Sequence, residues 1–200
     1  MSDNVIVTDM DGVTLDWETT FHKYMQSHGH VKAHERPSYW QETYYPHLSE
    51  DRAREMVFHF NTSAWMMDLP PFKDARGGVA RLVDEGYMFT GLTAMGTDPY
   101  SLLARNYNVD AVFGKQAFND VIATDMYDPD SKRAELTRLF KPGRFWIEDK
   151  PANAVLGREI GYETLLITHP HNEEFDCEAN DIKRVNSWSD ICEVILDTHY

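Results

Sequence analysis

The sequence predicts an α/β fold: a Rossmann-like parallel sheet with helices on both faces, plus a small helical cap inserted after the first strand. Three observations carry this expectation. Short β-branched and aromatic runs alternate with stretches whose apolar residues recur at helical spacing, and such a rhythm implies a mostly parallel sheet covered on both sides. The rhythm breaks once, between Asp16 and Leu69, where aromatics and histidines abound and no strand-like run occurs. Finally, the first apolar run ends in Asp9-Met10-Asp11-Gly12. Sheets of this kind bind ligands just beyond the carboxyl ends of their strands.

The elements follow in order. Asn4 to Thr8 reads as a buried strand, because Val5, Ile6 and Val7 are all β-branched. In the insert, Trp17 to Ser27 and Glu50 to Ala64 have helical spacing, and Pro70-Pro71 cannot continue a helix, so the pair marks the return to the core. Residues 1–15 and 71–200 are therefore expected to form the core and 16–70 the cap. Beyond it, Phe72 to Glu85 predicts a helix, Tyr87 to Leu92 a strand, Asp98 to Tyr107 a helix and Phe118 to Ala123 a strand. Ser131 to Phe140 then reads as a helix, Arg144 to Ile147 as a strand, Ala152 to Ile160 as a helix and Glu163 to Ile167 as a strand. There is no internal repeat and no low-complexity tract.

Composition narrows the function classes. Two hundred residues, 42% of them apolar, suffice for one domain with a modest insert. A net charge of −14 repels polyanions, and no basic stripe is present, so a nucleic-acid polymer is a poor partner. No apolar run approaches the roughly 20 residues that span a bilayer, and MSDNV lacks the marks of a signal peptide; a cytoplasmic protein is expected. Two cysteines, Cys177 and Cys192, make no disulfide framework.

Asp9 and Asp11 point roughly the same way from a strand end, and Gly12 lets the chain turn just past them. The pair has two open readings. Asp-Gly is a common turn signal, and two convergent carboxylates can hold magnesium while one attacks phosphorus and the other moves a proton. An EF-hand loop is ruled out, since its glycine belongs at the sixth position. Phosphoryl transfer would further need a hydroxyl, a cation and another acid at neighbouring strand ends. Thr93 ends the second core strand. Lys132 falls in the first turn of a later helix, where a cation works against the helix dipole and a binding duty would explain it; Lys115 is the rival. The fourth core strand runs into Glu148-Asp149.

This set resembles the haloacid dehalogenase superfamily of phosphohydrolases: D-x-D-G-V in Asp9 to Val13, a strand ending in Thr93, Lys132 opening a helix, and Glu148-Asp149 followed by Asn153. Within it, DMDGVTLDWE, the short helical cap and Leu69-Pro70-Pro71-Phe72-Lys73-Asp74-Ala75 are similar to the 5'(3')-deoxyribonucleotidase group, as are the late stretches Thr168 to Asn172 and Arg184 to Trp188. The resemblance implies a magnesium-dependent phosphatase acting on a nucleoside monophosphate. Asp9 would form an aspartyl-phosphate, and Asp11 would serve as acid and then base. Thr93, Ala94 and Lys132 would bind the phosphate. Magnesium would be held by Asp9, Asp149 and the backbone carbonyl of Asp11, with Glu148 and Asn153 as additional or outer partners. Asn153 stands where the family often has another acid, which implies weaker metal binding. A dehalogenase is disfavoured, because a halide leaves without the proton Asp11 would give.

Specificity is expected from the cap, where Trp17, Phe21, Tyr24, Trp40, Tyr44, Tyr45 and Trp65 offer flat faces for a base or, equally, a core for the insert itself. His30 and His34 alone among the cap histidines stand at i, i+4, with no cysteine nearby, so zinc is not expected. The competing readings are a phosphatase for sugar phosphates or other small metabolites, and a catalytically silent relative that only binds a ligand.

Overall fold

The computed structural model describes residues 4–33, 38 and 41–198. Six strands form one sheet: β1 (Val5–Thr8), β2 (Met88–Ala94), β3 (Phe118–Thr124), β4 (Phe145–Glu148), β5 (Glu163–Ile167) and β6 (Lys183–Val185). Their order is β3-β2-β1-β4-β5-β6, and every neighbouring pair is parallel. The Rossmann-like α/β expectation is met. Strand order reverses between β1 and β4, which opens a crevice at their carboxyl ends.

The helices are α1 (Trp17–Ser27), α2 (Glu50–Asn61), α3 (Ala75–Asp84), α4 (Pro99–Phe113), α5 (Pro129–Leu139), α6 (Pro151–Ile160) and α7 (Trp188–Asp197). Successive strand residues serve opposite faces of the sheet. Ile6 joins Val79 and Leu82 of α3 and Trp188, Ile191 and Ile195 of α7, whereas Val7 packs with Leu136 of α5, Leu156 of α6 and Trp146. Both faces of β1 are thus covered, which is why its sequence is continuously apolar.

Between β1 and α3 lie α1, α2 and the 3-10 turns Gln41–Tyr44 and Ala64–Met67. Asp16 caps α1 by accepting from the Thr19 amide, and Ser49 caps α2 by accepting from Arg52. Two backbone hydrogen bonds tie the exit of this insert to its return: Asp16 N donates to Pro70 O (2.9 Å) and Phe72 N to Thr14 O (2.9 Å). Its apolar residues form one cluster with core residues, Trp17, Phe21, Tyr24 and Phe60 packing in continuity with Met95, Ala104, Val109 and Val121.

Several boundaries move. Helix α4 runs to Phe113, six residues past the expected Tyr107, and Gly114 at φ 88° ends it. Helix α5 starts at Pro129 rather than Ser131, and α3 at Ala75 rather than Phe72. Helix α2 stops at Asn61, and a separate 3-10 turn covers Ala64. Strand β6 and helix α7 are additions to the expected elements. Trp188, Ile191, Cys192 and Ile195 of α7 are buried at i, i+3, i+4 and i+7, a helical period readable in the sequence. Trp40 and His34 lie outside the described residues. No described helix is long and apolar enough to cross a membrane.

Candidate active site

The crevice between β1 and β4 gathers the chemistry. Asp9 N donates to Ile147 O (2.8 Å), which fixes the end of β1 against β4. Gly12 then turns the chain with φ 80°, and a Cβ there would stand 2.8 Å from Asp149 Oδ2. Only glycine lets the turn pass so close to that carboxylate. Lys132, buried in the first turn of α5, donates from Nζ to Asp9 Oδ1 (2.9 Å) and to Glu148 Oε2 (3.1 Å). Lys115 is exposed and precedes β3, at the opposite end of the sheet from the carboxylates.

Asp9, Glu148 and Asp149 bring carboxylate oxygens within 4.8 Å of one another, all buried. Glu148 has its oxygens in use: Oε1 accepts from the amides of Asp149 and Lys150 (both 3.0 Å), and Oε2 accepts from Lys132. Burial by itself would raise its pKa, but the Lys132 charge and these hydrogen bonds outweigh it and hold the group below its ordinary value. Asp9 goes the other way. Burial first, then the Glu148 and Asp149 charges, push it well above the usual carboxylate range despite Lys132. Burial and Glu148 likewise lift Asp149 to about 7, against a hydrogen bond from His171. Lys132 pairs with Asp9 and Glu148, and His171 faces Asp149, yet the pKa values of Asp9 and Asp149 stay raised, so the negative charge of the three buried acids is under-compensated, and a hard divalent cation with oxygen ligands fits this donor set. Asp9 and Asp149 are the acids with oxygens to offer it.

Asp11 is held from two sides. Thr93 Oγ1 donates to its Oδ2 (3.2 Å), and Nη1 of Arg105, a fully buried residue of α4, lies 2.7 Å from its Oδ1. His169 and His171, for which the sequence suggested no role, brace the far side. His169 Nε2 donates to Gly12 O (2.7 Å), its ring stacks on Phe72, and burial drops its pKa to about 4. His171 Nε2 lies 3.4 Å from Asp149 Oδ2, and Asn172 Nδ2 donates to Asp149 O (2.6 Å). The Thr168 to Asn172 stretch was the only sequence signal for these residues, and Arg105 had none.

Asp9, Asp11, Gly12, Lys132, Asp149, His169 and His171 line a cavity of about 630 Å³. Asp9, Asp11, Ala94, Lys132, Asp149 and Asn153 form its inner end, while Trp17, Arg54, Val57 and Asn61 reach it from the insert. Of the aromatic candidates among the described residues, only Trp17 borders it. Phe21 and Tyr44 are buried inside the insert, Phe21 stacked on Trp17 with ring centroids 4.7 Å apart, and Trp65 is half-exposed outside the cavity. Flat faces instead come from residues the sequence did not single out, Phe72 and Tyr127. Arg54 of α2 sits over the Tyr127 ring at 5.3 Å and so bridges insert and core at the mouth.

The parallel sheet with an aspartate pair at the end of β1 and a lysine and second acid pair at flanking strand ends defines the class, the haloacid dehalogenase superfamily of phosphohydrolases. Within that class the chain belongs to the family described as 5' nucleotidase, deoxy (pyrimidine), cytosolic type C, whose model matches residues 3–200. It is 29% identical over 141 residues to an uncharacterized 32.4 kDa protein of Enterobacteria phage T4. That match takes in 68% of this chain and 49% of the phage protein, so the chain spans about half the length of this curated relative. Among solved structures it is similar in fold to a predicted phosphatase from Clostridium acetobutylicum (TM-score 0.67, 12% identity, 97% of this chain and 98% of that one). A haloacid dehalogenase-like hydrolase from Streptococcus pneumoniae gives a TM-score of 0.66 at 16% identity, with 96% and 97% covered. CbbY from Rhodobacter sphaeroides, solved with phosphate, gives 0.63 at 16% identity, with 97% and 99% covered.

Proposed function

We propose that this chain is a magnesium-dependent phosphatase that hydrolyses a nucleoside monophosphate through an aspartyl-phosphate. The observation that carries the reading is the placement of Asp9 and Asp11 at the inner end of a cavity of about 630 Å³, Asp9 paired with Lys132 and Asp11 with Thr93. Such a volume suits a small ligand. Lys132, 2.9 Å from Asp9, favours its ionised, nucleophilic form against burial and the neighbouring acids, and Asp9 attacks phosphorus while the ester oxygen leaves. Asp11 gives that oxygen a proton and afterwards takes one from the water that cleaves the acyl phosphate, so one carboxyl serves both half-reactions. Thr93, the Ala94 amide and Lys132 bind the phosphoryl oxygens.

Asp9, Asp149 and the carbonyl of Asp11 would hold magnesium, which supplies positive charge to the transferring phosphoryl group. Glu148 positions Lys132 and the Asp149 amide, and Asn153 borders the same space. Segment 16–70 acts as the cap over the core formed by 1–15 and 71–200. Its Trp17, together with Phe72 and Tyr127 of the core, offers apolar faces to a base, and membership of the nucleotidase family supports a nucleotide over other esters.

Phosphate release from a panel of nucleoside monophosphates and sugar phosphates with magnesium, for native protein and Asp9→Asn, tests this. Release from nucleotides by the native protein and none by the variant is the expected result. A preference for sugar phosphates would move the substrate and keep the chemistry. Equal release by both proteins would remove Asp9 as nucleophile.

A further inference from the structure

Arg105 has no part in the chemistry derived so far. It is among the largest fully buried side chains, it projects from α4 behind the cavity, and it does not border the cavity. Its Nη1 stands 2.7 Å from Asp11 Oδ1, yet no N–H is aligned for a hydrogen bond, and Nε, Nη1 and Nη2 have no hydrogen-bond partner among the described residues. A buried guanidinium in this condition is costly to the fold. The other buried residues of its helix are Ser101, Ala104, Asn108 and Val109, and a methionine has a similar length without the charge.

The cost has an evident return at Asp11. Thr93 donates to Oδ2 from the end of β2, and the Arg105 charge on α4 lies 2.7 Å from Oδ1, so the two carboxylate oxygens are approached from two separate elements. The side chain of Asp11 keeps 26% exposure toward the cavity, so it remains solvated there. We propose that Arg105 is the positioning residue for Asp11, setting the carboxyl at the angle from which its proton reaches the leaving oxygen. The inference rests on the reading of Asp11 as acid and base. In the step concerned, the P–O ester bond breaks, the bridging oxygen takes the electron pair, and the Asp11 proton moves to that oxygen.

The pair is asymmetric, and this permits a clean test. Arg105→Met leaves Asp11 at a wetted wall, whereas Asp11→Asn strands a buried cation. Arg105→Met is therefore expected to melt at or above the native temperature, and Asp11→Asn below it. Kinetics supply the second readout. Nitrophenolate leaves without a proton, so its pre-steady-state burst from p-nitrophenyl phosphate should slow by less than about threefold in Arg105→Met. With a nucleoside monophosphate, kcat should fall about 10-fold to 100-fold with KM little changed, within the range general acid catalysis contributes. Arg105→Lys, which keeps the charge without the planar fork, should recover part of the loss.

Equal losses on both substrates, or a lower melting temperature for Arg105→Met, would make Arg105 a structural residue and overturn the proposal. Unchanged kcat on both in an active native enzyme would overturn it alone. A native protein that releases phosphate from neither substrate would overturn it together with the phosphatase reading.

Discussion

Asp9 is buried beside Glu148 and Asp149, and burial together with these two acids makes its carboxylate costly in the metal-free fold. Asp9→Asn removes this costly buried acid, and Lys132 keeps Glu148 as partner. The metal-free variant should therefore unfold a few degrees above the native protein, about 1 kcal/mol for a chain of this length. Thermal melts in chelator check this, and a lower melting temperature would refute the account of an under-compensated acid cluster. His169 behaves differently. Its folded pKa of about 4 lies below the ordinary 6.5, so the unfolded chain takes up the proton first, and stability is lost as pH falls from about 6.5 to 4. His169→Gln should flatten that part of the native profile, and denaturant melts of both proteins at pH 7, 5.5 and 4 would read the difference. Identical slopes would mean that His169 does not set it.

At the scale of elements, α6 places the acids of β4 through close packing on the sheet. A Cβ at Gly157 would stand 2.3 Å from Trp146 Cδ1, and Trp146 is fully buried with Nε1 donating to Asn153 O (3.2 Å). Gly157→Ala must push α6 outward, at a cost of about 1–3 kcal/mol. The displaced N-terminus of α6 follows directly on Asp149 and Lys150, so magnesium affinity by calorimetry should fall with stability. Gly77 on α3 is the control, with nothing within 4 Å of its would-be Cβ. Gly77→Ala should stabilise by about 0.5–1 kcal/mol and leave metal binding unchanged. Were Gly157→Ala as stable as native, the tight seating of α6 would not be what holds the acids in place.

Across the whole molecule, the insert and the core share one apolar cluster, running from Phe21 and Phe60 to Met95 and Val121. A cap packed in this way should not melt alone. Heating should give a single transition by far-ultraviolet and tryptophan signals together, and two resolved transitions would refute the shared cluster as a cooperative unit. Magnesium at about 100 times its dissociation constant should raise stability by about 2.7 kcal/mol in the native protein and by less in Asp149→Asn. An equal gain in both would place the metal elsewhere.

The sequence by itself determined the sheet and most of what lies on it. The β-branched runs, the helical periods and the proline pair specify elements locally, and D-x-D-G, Thr93, Lys132 and Glu148-Asp149 are legible because each closes or follows such an element. Ends of elements were less legible: α4 continues past Tyr107 because Val109 is buried against the insert, a gain that intrinsic propensity does not encode. Only the tertiary structure decided which lysine meets Asp9, which aromatic borders the cavity and which buried cation stands behind Asp11. Lys132 and Asp9 are 123 residues apart in the chain, and the residues from Asp11 to Arg105 are separated by the whole insert. Charge compensation and cavity lining depend on distances in space, and a linear pattern of residue types carries no record of those distances until the sheet brings its strand ends together.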